Sequence, residues 1–151
     1  FQRIEMGPNT SSVNIYFHFQ KQAKLEERNK LKGFIQSIFK TEKTAFALLN
    51  VIFCDDAYLL GINQAFLNHH YFTDVISFNL AENKMPVQGE IYISVDRVCE
   101  NAKDLKVSFK QELHRVIFHG ILHFCGYKDK TPGFQKQIRA KEDFYLDKYF
   151  S

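Results

Sequence analysis

Val13-Asn-Ile-Tyr-Phe-His-Phe19 is rich in β-branched and aromatic residues and predicts a first strand. Residues 21–40 follow with apolar positions at Leu25, Leu31, Phe34, Ile35, Ile38 and Phe39 and Lys and Glu between them, much of it at helical spacing. Thr44–Phe53 is a long apolar run read as a central strand. Asp55 and Asp56 are candidate caps for a helix reaching about Asn68, because a short side-chain acceptor satisfies the free amides of a first turn. A loop at Asn68–Thr73 leads to strands at Val75–Leu80 and Val87–Val95, paired like a hairpin about a turn at Ala81–Pro86. Asp96 is expected to open a short helix through Lys103. Ser108 is expected to cap a longer one at Phe109–Cys125, with Glu112 near capping-box spacing. Thr131-Pro132-Gly133 reads as a break, and residues 134–150 as a closing helix with Phe134, Ile138, Phe144 and Leu146 turned inward.

This order predicts an α+β (mixed α/β) fold, a mixed sheet of about four strands with helices packed on it. A helical crossover between the first two strands allows them to be parallel. With no repeat and no linker, the 151 residues read as a single domain, long enough to bury a core. Phe1–Glu5, ahead of Met6, is set aside as a remnant or a processed end. No apolar run approaches a membrane span and no signal peptide is visible, so no membrane partner is expected. The three cysteines, Cys54, Cys99 and Cys125, fit no zinc or redox spacing, and reduced thiols in a cytoplasmic protein are expected. The net charge of +3 permits an RNA partner without requiring one. Lys21, Lys24, Arg28, Lys30 and Lys32 read first as a solvated helix face, with RNA contact as the alternative.

The candidate chemistry is concentrated in His119-Gly-Ile-Leu-His123-Phe-Cys-Gly126-Tyr-Lys-Asp129. Residues i and i+4 of a helix lie about 40° apart around its axis, so His119 and His123 can aim at one point. Gly126 can end the helix in a left-handed conformation and let the chain return Asp129 to that point. Two imidazoles and a carboxylate leave a fourth position open on a tetrahedral ion, the pattern of a catalytic zinc site. One Zn2+ is expected, with Ni2+ or Mn2+ able to use the same ligands. Cys125, about 200° past His123, is not expected to join them. The spacing matches an extended motif of zinc metalloproteases, but those carry a general-base Glu directly after the first histidine, and here that residue is Gly120. An open metal position lowers the pKa of bound water to about 7 without a protein base. A phosphodiester needs charge neutralised on its oxygens, whereas peptide hydrolysis needs a proton for the leaving amine, so Gly120 favours nuclease over protease. Arg115 and Glu112 are candidate catalytic residues, one and two turns before His119. Arg115 either reaches a phosphate or pairs with Glu112 at i, i+3.

HGILHFCGYKD resembles the signature of the bacterial YbeY family, single-domain endoribonucleases linked to ribosomal RNA maturation, whose usual form is HGxLHLxGYDH. Thr73–Phe78 and Gly89–Ser94 are similar to the family's TDVLSF and GDIxIS blocks, so the likeness runs over roughly residues 44–130. It implies a mixed sheet with a zincin-like metal helix near the middle. The implied function is metal-dependent hydrolysis of single-stranded RNA in rRNA processing and ribosome biogenesis, with ribosomal particles as partners. Asp74 and Ser77 match the family block and are candidates to line the cleft, with the alternative that Asp74 is a turn residue and Ser77 a strand residue with a satisfied hydroxyl. The family's third ligand is most often histidine, where this chain has Asp129; that exchange lowers the charge of the site by one and is expected to weaken its Lewis acidity unless Lys128 and Lys130 offset it. The family's arginine before TDVLSF falls on Leu67 here, and loop residues His69 and His70 are candidates to hold phosphate in its place. A metalloprotease-like hydrolase, and a non-catalytic ribosome-associated RNA-binding module with a structural metal, stay open as alternatives. A mononuclear iron oxygenase shares the ligand types but normally sits on a barrel. His114 and His18 are expected to be structural.

Overall fold

The computed structural model describes residues 14–151. Strand β1 (Ile15–Phe19) is followed by helix α1 (Arg28–Thr41), strand β2 (Phe46–Cys54), helix α2 (Asp56–Leu67), strands β3 (Val75–Asn79) and β4 (Val87–Ser94), and helices α3 (Val95–Leu105), α4 (Phe109–Phe124) and α5 (Pro132–Phe150). The sheet order is β1-β2-β4-β3. β1 runs parallel to β2 and β2 parallel to β4, while β3 closes the sheet antiparallel to β4. The fold is α+β with a mixed four-stranded sheet, as the element order predicts. Val13, expected in the first strand, lies outside the described residues.

Alternation on the two inner strands sorts the side chains onto two faces. Leu49, Val51 and Phe53 of β2 and Ile91 and Ile93 of β4 join the main core with Leu31, Ile35, Ile38 and Phe39 of α1 and with residues of α4 and α5. Ile76 and Cys54 instead meet Leu59 in a smaller core, against which Tyr92 and Phe78 pack. Helix α4, which carries the candidate ligands His119 and His123, therefore rests on the main-core face, touching β3 and β4 and flanked by α3 and α5.

Several local expectations need correction. The helix expected from residue 21 begins at Arg28, because Glu27 takes a left-handed backbone (φ 53°) that no continuous helix passes through. Gln20 and Lys21 both donate their backbone N–H to the Phe53 carbonyl, Lys21 pairs with Asp96, and Leu25 tucks into the core as coil. The basic residues 21–32 thus do not share one helical face. Asp96 does not open α3; the hydroxyl of Ser94 caps it by accepting the Arg97 N–H. Ser108 caps α4 through the Gln111 N–H, and Glu112, one residue past the capping-box position, pairs with Arg115 instead. α5 starts at Pro132 on a Thr131 cap, so that the Thr-Pro-Gly expected as a break is its first turn. Its buried set is Ile138, Glu142, Tyr145, Leu146 and Tyr149, leaving Phe134 and Phe144 40% and 51% exposed.

Candidate metal centre

Glu112, Arg115, His119 and His123 recur every three or four residues and form one stripe along α4. Leu113, Val116, Ile117, Phe118, Ile121 and Leu122 occupy the rest of its circumference in the core. The helix ends in a Schellman motif, with Tyr127 N–H donating to the Leu122 carbonyl and Gly126 N–H to the His123 carbonyl. Gly126 has φ +96°, the left-handed region where a side chain is strained. That reversal returns Asp129 to the histidines.

The three expected ligand atoms converge. The Nε2 atoms of His119 and His123 are 2.9 Å apart, and Oδ2 of Asp129 lies 3.2 and 3.1 Å from them. Ligands about 2.05 Å from a tetrahedral ion are about 3.3 Å from one another, so the spacing is close to that of one face of a zinc tetrahedron. The tautomers agree with this. His123 Nδ1 donates to the Tyr127 carbonyl at 2.9 Å, and His119 Nδ1 donates to Oε2 of Glu142 at 2.6 Å. With both outer nitrogens protonated, each neutral ring turns an Nε2 lone pair toward a carboxylate oxygen. Three lone pairs aimed at one point repel unless a cation lies among them, so the residues fit a divalent ion. Cys125 is not in this group, and burial pushes its thiol up to about 11.

Around these atoms lies a buried charge network. Arg115 forks onto Glu112, reaches Oε1 of Glu142 at 3.0 Å and stands 3.8 Å from Asp74. Of the two readings of Arg115, the pairing with Glu112 at i, i+3 is present. Glu112 is 1% exposed and Arg115 is occupied on both sides by carboxylates, so the pair supports Glu142 from behind. Burial pushes the Asp74 carboxyl up, against the pull of Arg115 and His119, and Asn101 donates to it at 3.1 Å. Burial works against a charged His119, but the hydrogen bond and charge of Glu142 outweigh it and raise the imidazole above its ordinary value; burial and the charge of His119 lower His123. A second clamp acts through Tyr127, whose hydroxyl donates to Oε1 of Glu42 at 2.8 Å, while Tyr145 and Lys141 of α5 hold the other oxygen.

Ser77 donates to the Gly120 carbonyl at 3.3 Å, so its hydroxyl is used in joining β3 to α4. A Cβ on Gly120 would meet Ile91 at 3.0 Å and Ser77 Oγ at 3.2 Å, so any side chain there, the glutamate of the protease motif included, would crowd these neighbours. His69 stacks on Tyr71 and bonds its hydroxyl, and His70 is exposed on the same loop. Leu67 ends α2 partly exposed. Two clefts flank the triad. A polar one of about 230 Å³ is lined by Arg115, His119, Asp129, Gln135, Arg139 and Glu142. A more apolar one of about 440 Å³ is lined by His123, Tyr127, Lys128, Asp129, Lys130 and Phe134 among others. The lysines on either side of Asp129 thus border the second cleft, while His69 and His70 line neither.

The model of the endoribonuclease YbeY family matches residues 16–150. The chain belongs to the YbeY family. Among its curated relatives, an endoribonuclease YbeY of Cytophaga hutchinsonii is 45% identical over 131 residues, 87% of this chain and 92% of that protein. One of Flavobacterium psychrophilum is 45% identical over 129 residues, covering 85% and 91%. A solution structure of a Thermotoga maritima protein, 27% identical, superposes with a TM-score of 0.58 over 90% of this chain and 89% of that one.

Sequence reasoning missed Glu142, Glu42 and the Tyr127 carbonyl. A signal for Glu142 was present: it sits at i+4 from Ile138 and i−4 from Leu146, an acid inside the apolar stripe of α5. A carboxylate so placed requires a buried partner. Glu42, at the end of α1, carries no such mark, since its partners come from residues 127, 141 and 145.

Proposed function

We propose that the chain is a metal-dependent endoribonuclease of single-stranded RNA, acting on ribosomal RNA or its precursors in the cytoplasm with zinc as its metal. The endoribonuclease class follows from the family. The metal dependence rests on one observation: the convergence of two Nε2 lone pairs and a carboxylate oxygen, with both imidazole tautomers fixed from behind.

His119, His123 and Asp129 would hold the ion, which supplies Lewis acidity and a water of lowered pKa. Glu142 and the Tyr127 carbonyl orient the two rings, the arrangement in which an outer partner fixes tautomer and angle. Gly120 brings no base, which argues against a peptide bond as substrate. Lys128 and Lys130 flank Asp129, and Arg139, about half exposed, borders the other side of the triad. These cations are placed to neutralise phosphate oxygens on either side of a bound strand, a role that Arg115 is too enclosed to take. Asp74 acts within the buried network. His69 and His70 are assigned a more distant contact with RNA, if the strand extends over their loop.

The test is metal analysis by inductively coupled plasma together with cleavage of labelled single-stranded RNA by wild type, His119→Ala and His123→Ala. Stoichiometric zinc and cleavage only by wild type are expected. Equal cleavage by all three proteins would overturn the proposal, as would casein digestion without RNA cleavage.

A further inference from the structure

We infer that Phe134 is a stacking platform for a nucleobase of the bound strand, next to the phosphate held at the metal triad. The inference rests on the endoribonuclease reading and adds a subsite to it. Phe134 is 40% exposed on the first turn of α5, although its place in the sequence pattern suggests a core residue. Its backbone N–H caps on Thr131, which fixes the residue on the first turn of α5. The ring lines the more apolar cleft, and the same cleft is bordered by His123 and Asp129, so whatever lies on the ring lies beside the triad. At about 440 Å³ the cleft falls within the roughly 300–1,000 Å³ of small-molecule sites, room enough for one nucleoside.

Charge completes the match to RNA. Lys128 places its ammonium 5.7 Å from the Phe134 ring centre, and Lys130 borders the same cleft. A part-exposed aromatic ring in a cleft that lysines border is how proteins hold unstacked bases, the ring taking the base and the cations the adjoining phosphates. Every base has a π-face, so this contact selects for single strands and not for sequence. A duplex, whose bases are already stacked and paired, cannot present one to the ring.

The experiment uses the metal-loaded protein, a short RNA carrying one 2-aminopurine beside the cleaved bond, and the variants Phe134→Leu and Phe134→Tyr. With wild type and Phe134→Tyr, binding should quench the 2-aminopurine fluorescence. Phe134→Leu should lose the quenching and raise KM roughly five- to a hundredfold, the range of one lost base stack. Replacing that nucleotide by an abasic one should weaken wild type and leave Phe134→Leu nearly unchanged. The inference is overturned if Phe134→Leu keeps both quenching and KM, or if the abasic RNA weakens both proteins equally. Failure of the endoribonuclease reading looks different: wild type would not cleave, whatever the quenching. Circular dichroism of Phe134→Leu should match wild type, since the ring is not in the core.

Discussion

The imidazole of His119 is held from behind by Glu142, which turns its Nε2 toward His123 and Asp129. Glu142 also receives Arg115, and the charge of the two groups keeps its carboxyl below the usual range against the upward push of burial. Glu142→Gln keeps an acceptor in place but removes the charge. Metal affinity should fall about 10–100-fold, the usual cost of losing an outer partner, as read by competition with a chelating dye. Unchanged affinity would remove Glu142 from the site. Gly120 is constrained by space. Gly120→Ala brings a methyl within 3.0–3.2 Å of Ile91 and Ser77 and should cost about 1–3 kcal/mol by overpacking, measured by urea denaturation. Loss of less than half a kcal/mol would mean that β3 and β4 give way easily.

At the scale of elements, the α4 terminus does two things at once. Its Schellman turn aims Asp129 back at the histidines, and it fixes the Tyr127 carbonyl that orients His123. Gly126→Ala should cost about 1–2 kcal/mol, since a Cβ in the left-handed region crowds the carbonyl oxygen. The same variant should bind metal more weakly, because both Asp129 and Tyr127 follow the turn. A variant that loses stability but keeps full metal affinity would show that Asp129 is positioned by α5 alone. The clamp of Glu42 on Tyr127, Tyr145 and Lys141 ties the end of α1 to this turn and to α5.

Across the whole molecule, α4 and α5 enclose a further histidine outside the His119–His123–Asp129 group. His114 is 1% exposed, donates Nδ1–H to the Lys110 carbonyl at 2.7 Å, stacks on Tyr149 and leaves Nε2 without a partner among the described residues. Burial pushes its pKa down, the Lys110 carbonyl opposing only in part. The unfolded chain, with a histidine pKa near 6.5, therefore takes up this proton first. The contribution to stability is complete above about pH 6.5 and is lost as pH falls through the depressed folded value. Urea midpoints of wild type and His114→Phe, followed downward from pH 7.5, should diverge below about pH 6.5, with wild type falling faster. Parallel curves would show that His114 does not titrate on unfolding; the difference between the two proteins cancels the opposing shifts of His119 and His123.

Much of this was legible along the chain because it is local. Hydrophobic period placed the strands, and short polar residues marked the caps at Asp55 and Ser108. The triad lies within eleven residues, so helix geometry and one glycine nearly suffice to assemble it. What the sequence alone left undecided depends on residues far apart. Whether 21–27 continued the helix turned on Phe53 and Asp96 claiming Lys21. Arg115 could face solvent or carboxylates until α5 brought Glu142 across 27 positions to meet it. Phe134 and Phe144 read as core because a hydrophobic pattern reports which residues can be buried, not which face of a helix finds a neighbour. Only the packing of α5 on α4 chose Tyr145, Tyr149 and a glutamate for the inside and left a phenylalanine beside the metal ligands.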